Sequence, residues 1–333
     1  MEMTGKSLLI TGATGSFGQE FVRTVLERGM PKRMVVYSRD EAKQYDMQQV
    51  FPVERYPCMR YFIGDVRDER RLEMALRGIE IVVHAAALKQ VPTAEYNPFE
   101  CVRTNIHGAE NVVNASIQCD VKKVIALSSD KAANPINLYG ATKLASDKIF
   151  IAGNNLTPSN GTRFSVVRYG NVLGSRGSVL PAFRKLAAEG KKTLPITDER
   201  MTRFWITLRQ GVDFVLESFA RMCGGEVFVP KLPSMRIVDL ARAVVPDCAF
   251  SPVGIRPGEK LHEIMIPRDE ARLTLEFDDR YVIQPAFPFW SDENYMEKNG
   301  GRRVAEDFEY NSETNSEWLD ATHIVAILRD HPL

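Results

Sequence analysis

The sequence predicts an α/β fold, a doubly wound parallel sheet with helices on both faces, followed by a smaller mixed α/β unit. Three observations carry this. Short apolar runs at residues 7–11, 33–37, 60–64, 79–84, 123–128 and 163–169 alternate with helical periods at 18–28, 68–77, 105–119 and 139–154. The runs lack a polar alternation of their own, as expected of strands buried on both faces. After residue 171 the rhythm loosens and proline becomes frequent. Helical periods remain at 178–189, 208–222 and 237–245, and a stretch rich in Pro, Asn, Gly and charge at 279–317 reads as loop dominated.

The 333 residues suffice for two packed units. Apolar residues make up 44% and charged residues 26%, the balance of an ordinary globular chain. Lys plus Arg and Asp plus Glu are both 43, so there is no basic excess, and neither nucleic acid nor an anionic membrane is expected as partner. The cysteines, Cys58, Cys101, Cys119, Cys223 and Cys248, are scattered without a Cys-x-x-Cys pair. A reducing compartment is expected, with no disulfide framework and no metal site. His262-Glu263 lacks the second histidine of a zinc-protease helix, and the histidines read as core or surface residues. No apolar run reaches the length of a membrane span. A glycine motif already begins at Thr11, which leaves no room for a leader, and a cytoplasmic protein is expected.

Thr11 ends the first run and is followed by Gly12-Ala13-Thr14-Gly15-Ser16-Phe17-Gly18, which opens a helix. Glycines there permit a tight turn and let backbone N–H groups approach a pyrophosphate at a positive helix end. Between a strand and a helix at the start of the chain, the motif points to a Rossmann-type dinucleotide site. The end of the second strand selects the cofactor, since an acid binds a ribose hydroxyl and cations bind a 2′-phosphate. Ser38 stands where the acid would be, with Arg39 beside it and Lys43 a helical turn on, which favours NADP. Asp40 speaks for NAD and keeps that alternative open. Asp65 and Val66, after the third strand, suit adenine contact.

Tyr139 and Lys143 stand four apart, on one helical face with about 6 Å of rise between them. A cation beside the phenol favours the phenolate and lowers its pKa from about 10. Tyr139 can then take a proton from a sugar hydroxyl. The preceding strand runs into Ser128-Ser129, and strand, hydroxyl, loop and Tyr-x-x-x-Lys helix follow the short-chain dehydrogenase/reductase order. Asp130-Lys131 comes next. A lysine acts as base only when neutral, so burial or nearby cations must bring it from about 10.4 towards 7–8, with Lys143 and the nicotinamide charge as candidate causes.

In this setting the chain resembles the UDP-N-acetylglucosamine 4,6-dehydratases that invert carbon 5, the first enzymes of pseudaminic acid synthesis. The likeness runs over nearly the whole chain. It includes Ser38-Arg39-Asp40-Glu41, Gly64-Asp65-Val66-Arg67-Asp68, His84-Ala85-Ala86-Ala87-Leu88-Lys89 and Asp130-Lys131-Ala132-Ala133-Asn134-Pro135. Arg168-Tyr169-Gly170-Asn171-Val172, Gly174-Ser175-Arg176-Gly177-Ser178-Val179, Arg256-Pro257-Gly258-Glu259-Lys260 and Glu313-Thr314-Asn315 continue it. The resemblance implies bound NADP with Ala85, Ala86, Lys89 and Val172 among its contacts. It implies UDP-N-acetylglucosamine on Lys89, Asn171, Arg176, Ser178, Val179, Arg203, Arg256 and Glu259. Tyr139 and Ser129 would oxidise carbon 4, Lys131 would remove the carbon-5 proton, and Asp130 would help the carbon-6 hydroxyl leave. It also implies a homo-oligomer, an NADP-binding unit at 1–170 to which part of 204–230 returns, and a mainly substrate-binding unit at 171–333. Ser129 stands where many relatives carry Thr, with the hydroxyl retained.

Two rivals remain. A sugar-nucleotide 4-epimerase would need Tyr139 and Lys143 but no acid and base at Asp130-Lys131. A non-catalytic NADP-binding sensor would keep the glycine loop and typically lose Tyr-x-x-x-Lys.

Overall fold

The computed structural model describes residues 2–175, 177–287, 295–296 and 299–330. Its first half alternates β1 (Ser7–Thr11), α1 (Ser16–Arg28), β2 (Arg33–Ser38), α2 (Glu41–Val50), β3 (Met59–Ile63), α3 (Glu69–Leu76) and β4 (Ile81–His84). Two short helices follow, α4 (Val91–Tyr96) and α5 (Pro98–Val102), each with proline in its first turn, where a missing N–H costs nothing. A π-helical turn at Arg103–His107 leads into α6 (Gly108–Gln118), then β5 (Lys123–Leu127), α7 (Leu138–Gly153) and β6 (Arg163–Val167). Asp40 and Asp68 start α2 and α3 by accepting the N–H of Lys43 and Arg71.

Beyond β6 come β7 (Asn171–Val172), α8 (Val179–Ala188), β8 (Thr193–Ile196), β9 (Thr202–Ile206), α9 (Leu208–Arg221), β10 (Val227–Pro230), β11 (Ser234–Arg236) and α10 (Ile237–Val244). The last described elements are β12 (Ala249–Pro252), β13 (Ile264–Ile266), β14 (Thr274–Glu276), β15 (Arg280–Ile283), β16 (Arg302–Arg303), β17 (Tyr310–Asn311) and α11 (Ala321–Asp330).

One 10-stranded sheet holds the order β16-β14-β15-β10-β6-β5-β4-β1-β2-β3. Strands β3 to β10 pair in parallel, and β15, β14 and β16 add on antiparallel. The chain runs outward from β1 and then restarts at β4, so a crevice opens at the carboxyl ends of β1 and β4, where such sheets bind ligands. Every residue of β1 and β4 is buried, as the unbroken apolar runs require. Phe21, Phe150 and Phe164 are fully buried against this sheet, each contributing roughly 1.5–3 kcal/mol. A second core under α8 and α10 gathers Leu180, Phe183, Trp205, Leu240 and Ile324.

The described residues of 279–317 are mostly loop, but within them β15 is buried and paired on both sides. Its four residues are too few to stand out from the surrounding Pro, Asn and Gly. The helix read at 105–119 is α6, preceded by the π turn that changes its register before residue 108. Among the described residues no helix is long and apolar enough to cross a membrane, and no cluster of His, Cys, Asp or Glu could hold a metal ion.

Candidate active site

A cleft of about 920 Å³ runs from the carboxyl ends of β1, β2 and β4 to the face of the smaller unit. Its floor is the glycine turn. Gly12 has φ +66, and a Cβ there would meet the backbone of Ala85 and Ala86 at 2.8–2.9 Å. A Cβ on Gly18 would lie 2.3 Å from the Ala13 carbonyl oxygen, so glycine lets α1 pack against the turn. The first turn of α1 has no side-chain cap and no acidic residue, so its amides face the cleft as an anion cradle. A dinucleotide pyrophosphate fits that cradle.

The cofactor residues expected from sequence lie on the cleft wall: Gly12, Thr14, Gly15, Ser16, Phe17, Gly18, Ser38, Arg39, Asp40, Lys43, Asp65, Val66, Ala85, Ala86, Lys89, Tyr139, Lys143 and Val172. Thr11 stands behind it. Its hydroxyl accepts the N–H of Ala85 and Ala86 at 3.2 Å and meets His84 Nδ1 at 2.9 Å, so it braces β1 against β4. Burial, with Lys143 nearby, takes His84 down to about 3, and the ring is a neutral core group. At the cofactor end Asp40 caps α2 and pairs with the Lys43 ammonium. Asp65 is gripped by Arg67 at 2.7 Å, with Arg39 at 3.6 Å.

The chemical end is built on β5 and α7. Ser129 caps a short 3-10 turn, Asp130–Ala132, by accepting the Lys131 N–H, and its hydroxyl donates to Asp130 Oδ1 at 2.8 Å. Asn137 caps α7 by accepting the Gly140 N–H at 2.7 Å, and its amide donates to the Gly258 carbonyl across the cleft. Tyr139 is 8% exposed and Lys143 3%. One turn beyond Lys143, Asp147 accepts the Ser128 hydroxyl at 2.6 Å and faces Arg168 at 3.8 Å.

Protonation in this pocket departs from the sequence-based expectation. Burial pushes the Tyr139 phenol up to about 12, and Lys131 with a Ser129 hydrogen bond offsets only part of that. Burial lowers Lys143, and Asp147 opposes it. Lys131 is the larger correction. Burial alone would favour the neutral amine, but Asp130 Oδ1 at 3.1 Å and Glu263 Oε1 at 3.3 Å outweigh it. The ammonium is held well above its usual range, not lowered towards neutrality. Asp130, 1% exposed, is pushed up by burial, and its Oδ2 has no hydrogen-bond partner. A carboxyl so placed is suited to hold a proton and give it away.

On the opposite wall lie Asn171, Ser178, Val179, Arg203, Arg256 and Glu259; Arg176 lies outside the described residues. Arg256 is within 3.8 Å of Glu259. The Arg203 Nη atoms donate to the carbonyls of Thr202, Leu261 and Lys260, and its Nε faces Glu263 at 3.6 Å, so internal bonds fix its position on the cleft wall. Glu263 is the residue that sequence reasoning passed over. Its neighbour His262 starts no zinc motif, and nothing local ties it to a lysine 132 positions away.

A glycine turn on a parallel sheet, with Ser129 beside buried Tyr139 and Lys143 at the carboxyl end of β5 and the start of α7, defines a short-chain dehydrogenase/reductase. The family described as polysaccharide biosynthesis protein matches residues 8–285, and the chain belongs to it. It is 55% identical to the UDP-N-acetylglucosamine 4,6-dehydratase (inverting) of Campylobacter jejuni serotype O:2, over 97% of each chain. To the UDP-glucose 4-epimerase of Rickettsia rickettsii it is 42% identical, over 84% of this chain and 82% of the relative. The X-ray structure of Pen from Bacillus thuringiensis superposes with a TM-score of 0.89 at 34% identity, covering 99% of both chains.

Proposed function

We propose that the chain is a UDP-N-acetylglucosamine 4,6-dehydratase that inverts carbon 5, a hydro-lyase working with NADP. The observation that carries this reading is the ion pair of buried Asp130 with part-buried Lys131, beside Ser129 and Tyr139. A reaction confined to carbon 4 needs no second acid and base. The 55% identity to an inverting dehydratase over 97% of both chains supports the same conclusion.

Bound NADP supplies a reversible hydride acceptor and donor, so the net redox change is zero. The first turn of α1 would hold its pyrophosphate, and Ser38, Arg39 and Lys43 its 2′-phosphate. Ser129 and Tyr139 hold the carbon-4 oxygen, and Tyr139 as phenolate takes its proton. Lys131 and Lys143 are the cations that favour that phenolate. The ketone at carbon 4 acidifies the carbon-5 proton, which Lys131 removes. Asp130 gives its proton to the departing carbon-6 hydroxyl. Tyr139 returns a proton to carbon 5 from the opposite face, giving UDP-2-acetamido-2,6-dideoxy-β-L-arabino-hex-4-ulose. Lys89, Asn171, Arg176, Ser178, Val179, Arg256 and Glu259 are proposed to hold the nucleotide sugar. Such a product is a first intermediate towards pseudaminic acid. A homo-oligomer fits the exposed Tyr96 and Phe99 on neighbouring α4 and α5.

The second reading is a 4-epimerase, favoured by the 42% identity to the Rickettsia relative. Proton NMR of the purified protein with UDP-N-acetylglucosamine in deuterium oxide separates the two. A carbon-6 methyl signal, a 4-keto product and deuterium at carbon 5 are expected, and the coupling constants report the inversion. A carbon-4 epimer without a methyl signal would overturn the dehydratase and install the epimerase. No change even with added NADP would reject the substrate.

A further inference from the structure

Glu263 precedes β13 at the base of the cleft and is 2% exposed. Its Oε1 lies 3.3 Å from Lys131 Nζ, and its Oε2 has no hydrogen-bond partner. A buried carboxylate with an unpartnered oxygen is costly unless nearby cations compensate it. Four charged groups face it. Arg203 and Lys260 come from its own unit, and Asp130 and Lys131 from the turn after β5. Lys89 and Lys131 repel each other, and Arg168 acts on Asp130 and Lys260. The two cations of its own unit are tied to backbone: Arg203 to three carbonyls, Lys260 Nζ to the Ala133 carbonyl at 2.5 Å. Lys131 Nζ instead bridges two carboxyl groups, Asp130 Oδ1 at 3.1 Å and Glu263 Oε1 at 3.3 Å.

That bridge bears on a difficulty in the dehydration reading, on which this inference rests. An ammonium cannot take a proton from carbon 5, and Lys131 is an ammonium in this setting. We propose that Glu263 is a positioning residue that acts through Lys131, accepting the ammonium proton so that the amine can take the carbon-5 proton, and that Asp130, Lys131 and Glu263 form one proton relay.

The relay balances. At rest Asp130 is protonated, Lys131 is an ammonium and Glu263 is a carboxylate, matching the direction in which each group is held. An N–H bond of Lys131 breaks as an O–H bond forms on Glu263. The amine lone pair then takes the carbon-5 proton, and the C–H electron pair stays in the substrate as the enolate of its ketone. Asp130 gives its proton to the carbon-6 hydroxyl, which leaves as water. The proton on Glu263 then passes through Lys131 to Asp130, and all three groups are back in their starting states. No outside oxidant, reductant or proton source is needed.

The test compares wild type, Glu263→Gln and Glu263→Asp, each loaded with cofactor and given UDP-N-acetylglucosamine in deuterium oxide. Wild type must first form the 4-keto-6-deoxy product. If it does not, the dehydration reading has failed, and the relay with it. Given wild-type turnover, Glu263→Gln is expected to slow dehydration and carbon-5 deuterium uptake about 10²–10⁴-fold. It should still show the absorbance of reduced nicotinamide when substrate is added, because carbon-4 oxidation does not use the relay. Glu263→Asp should recover part of kcat at unchanged KM, with the acidic limb of its pH–kcat profile displaced. Carbon-4 oxidation, deuterium uptake and KM all worsening together would mean a purely structural role and would overturn the proposal. So would turnover of Glu263→Gln within about threefold of wild type, small against that range. Should Glu263→Gln fail to fold, Glu263→Asp decides: kcat and pH profile equal to wild type would refute the relay.

Discussion

The carbonyl oxygen of Lys131 lies 2.2 Å from where a Cβ on Gly140 would sit, so the Asp130–Ala132 turn and the Tyr139 helix touch backbone to backbone. Gly140 directly follows Tyr139, and its N–H is the one that Asn137 caps. Sequence, helix start and site geometry therefore meet at one residue. Gly140→Ala should force the turn and α7 apart, at a cost of roughly 1–3 kcal/mol. Lys131 would move relative to Tyr139, so turnover should fall at least about tenfold with cofactor affinity retained. Thermal melting, cofactor titration and the dehydration rate measure the three effects. A stable variant with wild-type turnover would show that the contact relaxes elsewhere.

The Tyr139 phenol, pushed up to about 12 by burial, gives an alkaline signature. Its proton is held more tightly in the fold than in the unfolded chain, where the pKa is about 10. Stability from this group is complete below pH about 10 and is lost as pH rises towards 12. Tyr281, also raised to about 12 by burial, acts in the same window. Denaturant midpoints should therefore fall over that range, and Tyr139→Phe should reduce the fall by an amount on the order of 2 kcal/mol. Tyr139→Phe should also abolish most turnover while the cofactor still binds. Ultraviolet difference titration should find a phenolate at lower pH in cofactor-loaded protein than in stripped protein. Identical titrations would deny the charge coupling between Tyr139 and the cofactor.

What was legible in the sequence was local. Gly12, Gly15 and Gly18 lie within one turn, and Tyr139 and Lys143 within one helical step, so spacing alone brings each set together. The buried runs of β1 and β4 exposed the parallel sheet in the same way. What failed depended on contacts across the cleft. The protonation of Lys131 was misread because its counter-charge, Glu263, comes from the other unit, 132 residues on. The internal bonds of Arg203 to the Leu261 and Lys260 carbonyls were equally hidden, because they join segments 57–58 residues apart. Thr11 read as a cofactor contact because the strand pairing that absorbs its hydroxyl is invisible in a single run.

The cofactor choice can be tested at Arg39. Asp40 is already engaged by the α2 amides and the Lys43 ammonium, so it is poorly placed to receive a ribose hydroxyl. Arg39 is half-exposed and 3.6 Å from Asp65, free to swing onto a 2′-phosphate. A charge-assisted hydrogen bond there is worth about 1.5–3 kcal/mol. Arg39→Ser should thus weaken NADP roughly 10–100-fold and leave NAD nearly unchanged. Calorimetric titration of both dinucleotides measures the ratio. Equal loss for the two would remove Arg39 from 2′-phosphate recognition and return the choice to NAD.

Asp147 offers the last test, because it acts on Lys143 from one turn away. Burial lowers Lys143, and the Asp147 carboxylate is what opposes that fall. In the proposed mechanism Lys143 serves Tyr139 only as a cation, so activity should be lost as pH rises through the Lys143 pKa. Asp147→Asn keeps the shape and the Ser128 contact but removes the counter-charge. The basic limb of the pH–kcat profile should therefore move to lower pH. Arg168, which faces both Asp147 and Glu270, keeps one carboxylate partner and limits the structural damage. Cofactor affinity serves as the control for correct folding. A basic limb that stays in place would mean that Lys143 is held charged by some other group, and that Asp147 serves only the packing behind α7.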